Sequence, residues 1–350
     1  MSACPLDLPV DEVRRILRTG YGLEAERVDV VSGELATVCR AVAHGRTYAL
    51  KAMPVRGADV HHVRWQTDVM RRLANRGLPV PALTADVKGS DLHEHVRGET
   101  LVLVQLTDWF SDPPLHDVEV DRPLLRSVGE TAAQVSIALE GLEPPVPSTH
   151  PWELVRTRES LIAALDEVRD VSVARLVRDA LEVFDRRLAP LLPHLPWCVV
   201  HHDLHDSNLL VGSSPTGPRG ITGILDFGDM VRAPRVAELA VAAAYAARNT
   251  EDPRGALIDV AAGWSSRLDL TPDESRALLP AAIARLAVNT AIWASRMSGP
   301  RATYARARAV GSTGALAALL EVEPRPFHRD LSEAVADAHR EAGPRGAAPC

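Results

Sequence analysis

Lysine is almost absent from this chain. Of its 39 basic residues only two, Lys51 and Lys88, are lysines. A compact ammonium on a flexible stem does not do the work of a planar guanidinium fork. A lysine kept in so arginine-rich a chain therefore marks a position that arginine does not fill. Lys51 stands in TYALKAM among alternating apolar residues, and Lys88 in DVKGSD beside turn residues. Cysteine is also sparse. Cys4, Cys39, Cys198 and Cys350 lack metal-type spacing, which excludes a zinc module and a disulfide framework and leaves reduced thiols of a cytoplasmic protein. A basic excess is missing: the net charge is −7 and the pI about 6.0, which argues against nucleic acid as a partner. The longest apolar run, around Ala237 to Ala247, is too short to span a bilayer. The N-terminus shows no apolar stretch after a basic start, and Cys350 lies in no prenylation box. The expectation is a cytoplasmic protein, monomer or homodimer, with no membrane partner.

What is present suits a globular enzyme. The 350 residues are 46% apolar and 24% charged, and exceed what one ordinary core needs, so two lobes are expected. Residues 9–19 read as an amphipathic helix. RVDVVSGELATVCRAVAHGRTYALKAM reads as strands, broken at Ser32-Gly33-Glu34 and turning at His44-Gly45-Arg46. Residues 59–77 read as a helix with Val63, Gln66, Met70 and Leu73 on one face, and HEHVRG and LVLVQLTDWF as two more strands. This makes a sheet lobe over 1–104, a linker over 105–112, a helical lobe over 113–325 and a tail over 326–350 whose end is expected to be disordered. Helices are predicted at 124–140, 153–167, 170–189, 235–247, 254–267, 273–297 and 302–320. The fold class is α+β: a small antiparallel sheet lobe and a larger helical lobe.

One stretch interrupts the helical lobe. VVHHDLHDSNLLV, residues 199–211, packs histidines, aspartates, a serine and an asparagine between apolar runs. It reads as a loop between a short strand and its hairpin partner. The partner ends at Asp226-Phe227-Gly228-Asp229, so the two polar clusters are expected side by side. The spacing His201-x-Asp203-x-x-x-x-Asn208, with Asp226 eighteen residues on, supplies what phosphoryl transfer needs. One carboxylate accepts a hydroxyl proton. An amide oxygen and a second carboxylate suit Mg²⁺, which prefers hard oxygen ligands and keeps several waters. Lys51 offers a cation for nucleotide phosphates. Gln66, the polar member of an apolar stripe, points inward to orient it. Asp68 lies about 200° round the same helix and faces outward.

These stretches resemble the aminoglycoside phosphotransferase family, the small-molecule branch of the kinase-like fold. The match runs from about Val28 to Ser298 through YALK, QTDVMRRL with GLPVPAL, VVHHDLHDSNLLV, and GILDFGDM with AELAVAAAYAA. Glutamine at position 66 is similar to the hydroxylysine kinase subgroup. The resemblance implies a two-lobed kinase-like fold and Mg²⁺ with ATP or GTP. It implies Asp203 as base, Asn208 and Asp226 as metal ligands, Lys51 as phosphate lysine, and His201 as a brace for the catalytic loop. The base of the nucleotide is expected at Val104, Gln105, Leu106 and Thr107, and the phosphates near Ser32 and Gly33. The chain departs from the family at His202, where glycine is usual, and in SGELAT, where Gly33 is the sole glycine. Gln66 can give Lys51 a hydrogen bond but no ion pair.

The acceptor must place a hydroxyl near Asp203. The helix LLPAAIARLAVNTAIWASR is apolar except at Arg285, Asn289, Trp293 and Arg296, and the first three share a face. This stripe is either a satisfied core network or a pocket wall. As a wall, Arg285 would grip a carboxylate, while Asp206, Asp229 and Glu238 would hold an amino group, unless Glu238 is structural. Trp152 and Glu153 stand either in the same cleft or in the core. Three functions follow. The first is a kinase for a small hydroxylated amino acid or amino alcohol. The second is an antibiotic O-phosphotransferase, which would need an acidic cleft. The third is a nucleotide-binding pseudokinase, against which the intact Lys51, Asp203, Asn208 and Asp226 set speaks.

Overall fold

The computed structural model describes residues 8–31, 36–57, 59–146, 149–214, 217–296 and 311–343. The chain divides into two compact units, residues 1–111 with 144–146, and residues 112–143 with 147–350.

In the first unit, α1 (Val10–Tyr21) stops at Gly22, whose φ of +68° supplies the left-handed turn that closes the helix. Its buried face, Val13, Ile16 and Leu17, packs on one side of an antiparallel sheet. The strands are β1 (Ala25–Val31), β2 (Thr37–Ala43), β3 (Arg46–Val55), β4 (His93–Arg97) and β5 (Thr100–Asp108), in the order β1-β2-β3-β5-β4. A two-residue turn at His44-Gly45, both with positive φ, joins β2 to β3. Alternation along β3 buries Leu50 and Ala52 completely and turns Lys51 to the other face, half-buried. Gln105 of β5 stands opposite Lys51 in register. Its amide donates to Thr67 Oγ1 at 3.2 Å on α2 (Asp59–Asn75), next to the buried Gln66. Asp68 is exposed, as its place on the helix requires.

One boundary of this unit differs from the sequence reading. The expected linker at 105–112 is still sheet through Asp108, so Val104 to Thr107 form the buried middle of β5. Their backbone is largely committed: Val104 O accepts from Tyr21 Oη at 2.9 Å, and Leu106 O from Thr84 N at 2.8 Å. Residues 32 and 33, expected near the phosphates, lie outside the described residues.

The second unit is helical: α3 (Arg122–Leu139), α4 (Thr157–Leu165), α5 (Val171–Val183), α6 (Val236–Ala247), α7 (Pro253–Ser265), α8 (Pro272–Ser295), α9 (Ser312–Leu320) and α10 (Pro324–Ala342). Helix α8 is buried on every side, and Thr271 and Glu274 close its N-terminus with a reciprocal capping box. By length and hydropathy α8 could cross a membrane, a test the sequence reading applied only to the shorter alanine run. However, 94% of its apolar window is buried inside the protein, the behaviour of a core helix. Helix α10 corrects the expectation of a tail, since Phe327 and Leu331 are buried on it. Of the predicted helix at 302–320, the part before residue 311 lies outside the described residues.

Two short ladders enter this unit. Strand β6 (Trp197–Val200) pairs with β9 (Val231–Pro234), and β7 (Leu209–Ser214) with β8 (Gly217–Ile224). The expected hairpin between the strands flanking the polar stretch is thus replaced by a nested pair. Both polar loops, 201–208 and 225–230, cross from one ladder to the other.

Helices α3 and α7 touch backbone to backbone. A Cβ on Gly129 would lie 1.8 Å from Val260 O, and one on Gly263 2.0 Å from Arg126 O. Gly263→Ala must push the helices apart, and a loss of at least about 2 kcal/mol in urea unfolding is expected. A loss below about 0.5 kcal/mol would show that the contact is not tight.

Candidate active site

The loop after β6 begins with two backbone amides that meet one side chain. Glu238 on α6 is fully buried; its Oε2 accepts from His201 N at 2.5 Å and its Oε1 from His202 N at 3.3 Å. Burial pushes the Glu238 carboxyl up to about 8, outweighing the two amide donors that favour its charged form. Of the two readings open for Glu238, holder of the acceptor's amino group or structural residue, its bonds to the loop amides match the second.

His202 occupies the position where glycine is usual, and its φ is +66°, in the left-handed region. A side chain there costs about 1–2 kcal/mol. Its ring is 1% exposed, and neither ring nitrogen has a hydrogen-bond partner. Burial, with Arg285 adding repulsion, holds the imidazole well below its ordinary range, so it is neutral. It meets the His150 ring edge-on at 5.1 Å. His201 packs edge-on against Phe227 at 4.7 Å, and its Nδ1 accepts from Asp203 N at 3.3 Å.

Asp203 follows, partly exposed. Asn208 Nδ2 donates to its Oδ2 at 2.8 Å and to its backbone oxygen at 3.0 Å. His205, absent from the sequence-based set, adds a contact. Its Nδ1 accepts from Ser207 N at 3.0 Å, which puts the ring proton on Nε2, 3.4 Å from Asp203 Oδ2. The signal was visible as the third histidine of HHDLH. Arg285 Nη2 reaches Asp203 Oδ1 at 3.2 Å. Arg285 is 5% exposed; its Nη1 donates to Trp152 O, and the rings of Trp152 and Tyr245 lie 5.2 and 5.5 Å from the guanidinium. Tyr245 was missed by the sequence reading, hidden in the alanine-rich run of α6.

The far end of the loop is tied to the second polar cluster. Asn208 O accepts from Leu225 N at 2.8 Å, which sets Asn208 beside the residue preceding Asp226. Asp226 has a φ of +58°, is exposed, and accepts from Gly228 N at 3.2 Å. Because Asn208 spends its Nδ2 on Asp203, its Oδ1 faces the other way. An amide oxygen and an exposed carboxylate fit Mg²⁺, whose remaining ligands are waters and substrate phosphates. Among the described residues no group of three or more His, Cys, Asp or Glu would hold a metal unaided.

The remaining expected residues divide. Asp206 is 2% exposed and consumed by Asn249 Nδ2 at 2.9 Å and Arg248 at 3.3 Å, so it is structural and not a holder of substrate. Asn289 donates to Tyr245 Oη at 2.8 Å, and buried Trp293 lies 6.4 Å from Trp152, behind Arg285 on α8. Asp229 is half-buried and close enough to His150 to act on its charge. Glu153 is buried and accepts from His150 N at 2.6 Å. Lys51 and Gln66 belong to the first unit, as described above.

Comparison with known proteins matches residues 28–278 to the family model described as the phosphotransferase enzyme family, APH. The chain belongs to that family. It is 28% identical to hydroxylysine kinase of Danio rerio over 290 residues, covering 78% of this chain and 79% of that protein. Among solved structures, the microcompartment-associated aminopropanol kinase superposes with a TM-score of 0.65 at 17% identity, covering 87% of this chain and 95% of its own. The amicoumacin kinase hAmiN gives 0.67 at 14%, covering 92% and 97%. These superpositions establish the kinase-like fold. The protein is a phosphotransferase.

The carboxyl of Glu238 gives a pH test. Unfolded, it ionises near 4.5; folded, it keeps its proton until about 8. Wild-type stability therefore falls relative to Glu238→Gln as pH rises from 5 to 8, and levels above. Paired thermal melts should show the variant melting lower at pH 5, with a gap that narrows to pH 8. A constant gap would mean that the folded carboxyl is ionised throughout.

Proposed function

We propose that this phosphotransferase moves the γ-phosphate of ATP or GTP to a hydroxyl of a small hydroxylated amino acid or amino alcohol. The observation that carries the reading is the arrangement at Asp203. Asn208 fixes its carboxylate through Nδ2, and the Asn208 backbone oxygen is bonded to Leu225, the residue before Asp226.

The acceptor hydroxyl gives its proton to Asp203 as its oxygen attacks the γ-phosphorus. The bond from that phosphorus to the β-bridging oxygen breaks, and the nucleoside diphosphate leaves with the electron pair. Mg²⁺ between Asn208 and Asp226 would neutralise charge on the phosphate oxygens. Lys51 is the cation assigned to the α- and β-phosphates, with Gln66 as its orienting neighbour. The protein's part is placement and charge cancellation, the main demands of this reaction.

Support for the acceptor class comes from charge. Asp206 and Glu238 are spent inside the protein, so the acidic cleft that a polycationic antibiotic needs loses two members. The buried cation Arg285 faces Asp203 instead and suits an acceptor bearing a carboxylate. Asp229 remains for its ammonium. The likeness to a hydroxylysine kinase points the same way.

A nucleotide-consumption screen over hydroxy amino acids, amino alcohols and aminoglycosides tests the reading; turnover with the first two classes is expected. Asp203→Asn should lower kcat by about a hundredfold or more while nucleotide binding stays near wild type. Turnover confined to aminoglycosides, or a wild-type rate in Asp203→Asn, would refute the acceptor class or the base respectively.

A further inference from the structure

We propose that Arg285 is a latch on Asp203, opened by the carboxylate of the acceptor, so that nucleotide is spent preferentially on acceptors that carry one. The proposal rests on the acceptor class inferred above and names its specificity-determining residue.

The contact has the form of a latch. Asp203 Oδ2 is already taken by Asn208 at 2.8 Å, so Arg285 reaches only Oδ1, through one nitrogen, at 3.2 Å. Charge-assisted hydrogen bonds to carboxylates favour about 2.7–2.9 Å and are often bidentate. A single long contact is the weaker arrangement, and a free carboxylate that engages two donors of the fork displaces it.

Donors for such a carboxylate are in place. Arg285 Nε is buried without a hydrogen-bond partner. The two ring nitrogens of His202 are likewise buried and unpartnered. All three belong to residues lining one small cavity, with Trp152 and otherwise mostly apolar walls. A buried polar group without a partner costs about 1–3 kcal/mol, so three around one cavity indicate a ligand rather than packing. A carboxylate there accepts from Arg285 Nε–H, from a neighbouring Nη–H and from the neutral His202 ring. The cavity measures about 10 Å³, room for no more than a water molecule. Trp152, the half-buried member of its wall, is the side chain whose movement admits the acceptor.

Two consequences follow from the chemistry. With the latch closed, Asp203 Oδ1 is engaged and a water molecule at the γ-phosphate finds no free base, which suppresses futile hydrolysis. When the acceptor's carboxylate draws Arg285 away, Oδ1 is released to receive the acceptor's hydroxyl proton.

The test compares 5-hydroxylysine with its decarboxylated counterpart 1,5-diaminopentan-2-ol, and measures nucleotide hydrolysis without acceptor. In wild type, kcat/KM should favour the carboxylated compound by about a hundredfold, the value of a well-placed bidentate pair. In Arg285→Gln the ratio should fall to near one, through a raised KM for hydroxylysine and a raised kcat for the diamino alcohol. Acceptor-independent hydrolysis should rise about tenfold, one oxygen of the base having lost its cation. Arg285→Lys keeps the charge and removes the fork. It should raise KM for hydroxylysine while hydrolysis stays low, and it carries the test should the glutamine variant not fold. Equal loss on both acceptors with no rise in hydrolysis overturns the latch and makes Arg285 a packing residue. Hydroxylysine turnover with an unchanged ratio in Arg285→Gln overturns the latch alone. Wild-type turnover confined to amino alcohols overturns the latch and leaves the acceptor class standing, whereas turnover confined to aminoglycosides overturns both.

Discussion

The site depends on one buried carboxyl group receiving two consecutive backbone amides. Glu238 projects from α6 into the start of the loop after β6 and accepts from His201 N and His202 N. Removing it would orphan two buried donors, each costing as much as a lost hydrogen bond. With it, His202 stays in the left-handed region despite its side chain, and the chain emerges aimed so that Asp203 faces Asn208 and Arg285. The other end of the loop is pinned by Asn208 O to Leu225 N. Between two fixed ends, the carboxylate has little freedom left. Electrostatic catalysis needs such preorganisation.

The acidic residues of this region are sorted by burial. Glu238 and Asp206 lie inside and serve the fold, the first through backbone amides and the second through Arg248 and Asn249. Asp203 and Asp229 are partly exposed and Asp226 is exposed, and these three are the ones proposed for chemistry. Arg285 lies on the boundary between these groups. It is as buried as a core residue, yet its charge meets the carboxylate proposed as base. A buried charge is tolerated where partners satisfy it, and here the partners are one carboxylate, one carbonyl and two aromatic rings.

The sequence made the elements legible where apolar periodicity was strong. Helices α2, α6, α7 and α8 begin and end within about two residues of their expected bounds, as boundary assignments allow. Helix α10 was missed, although Pro324 and Pro326 stand in its first turn, where proline is at home. Three strands of the second unit were visible and β9 was not, nor was the partner of β6. Alternation shows that a segment is a strand, and nothing in WCVV says that it pairs with VRAP rather than with LLVG. The strand reading of LVLVQLTDWF already covered Gln105 to Asp108, and only the division into lobe and linker after residue 104 was misplaced, since β5 runs unbroken to Asp108. At the site, residue types and spacing singled out His201, Asp203, Asn208 and Asp226. Which charges they would meet was settled by helices distant in sequence. Asp206 therefore read as a substrate ligand although Asn249 and Arg248 consume it, the two readings of Glu238 stayed open, and His205 and Tyr245 escaped notice.

Amide hydrogen exchange of the wild-type protein addresses the central constraint most directly. If the Glu238 carboxyl holds the loop, the amides of His201 and His202 exchange only through global unfolding, with protection equal to that of the core of α8. Exchange of these two amides at the rate of exposed loop positions, with α8 still protected, would contradict the account.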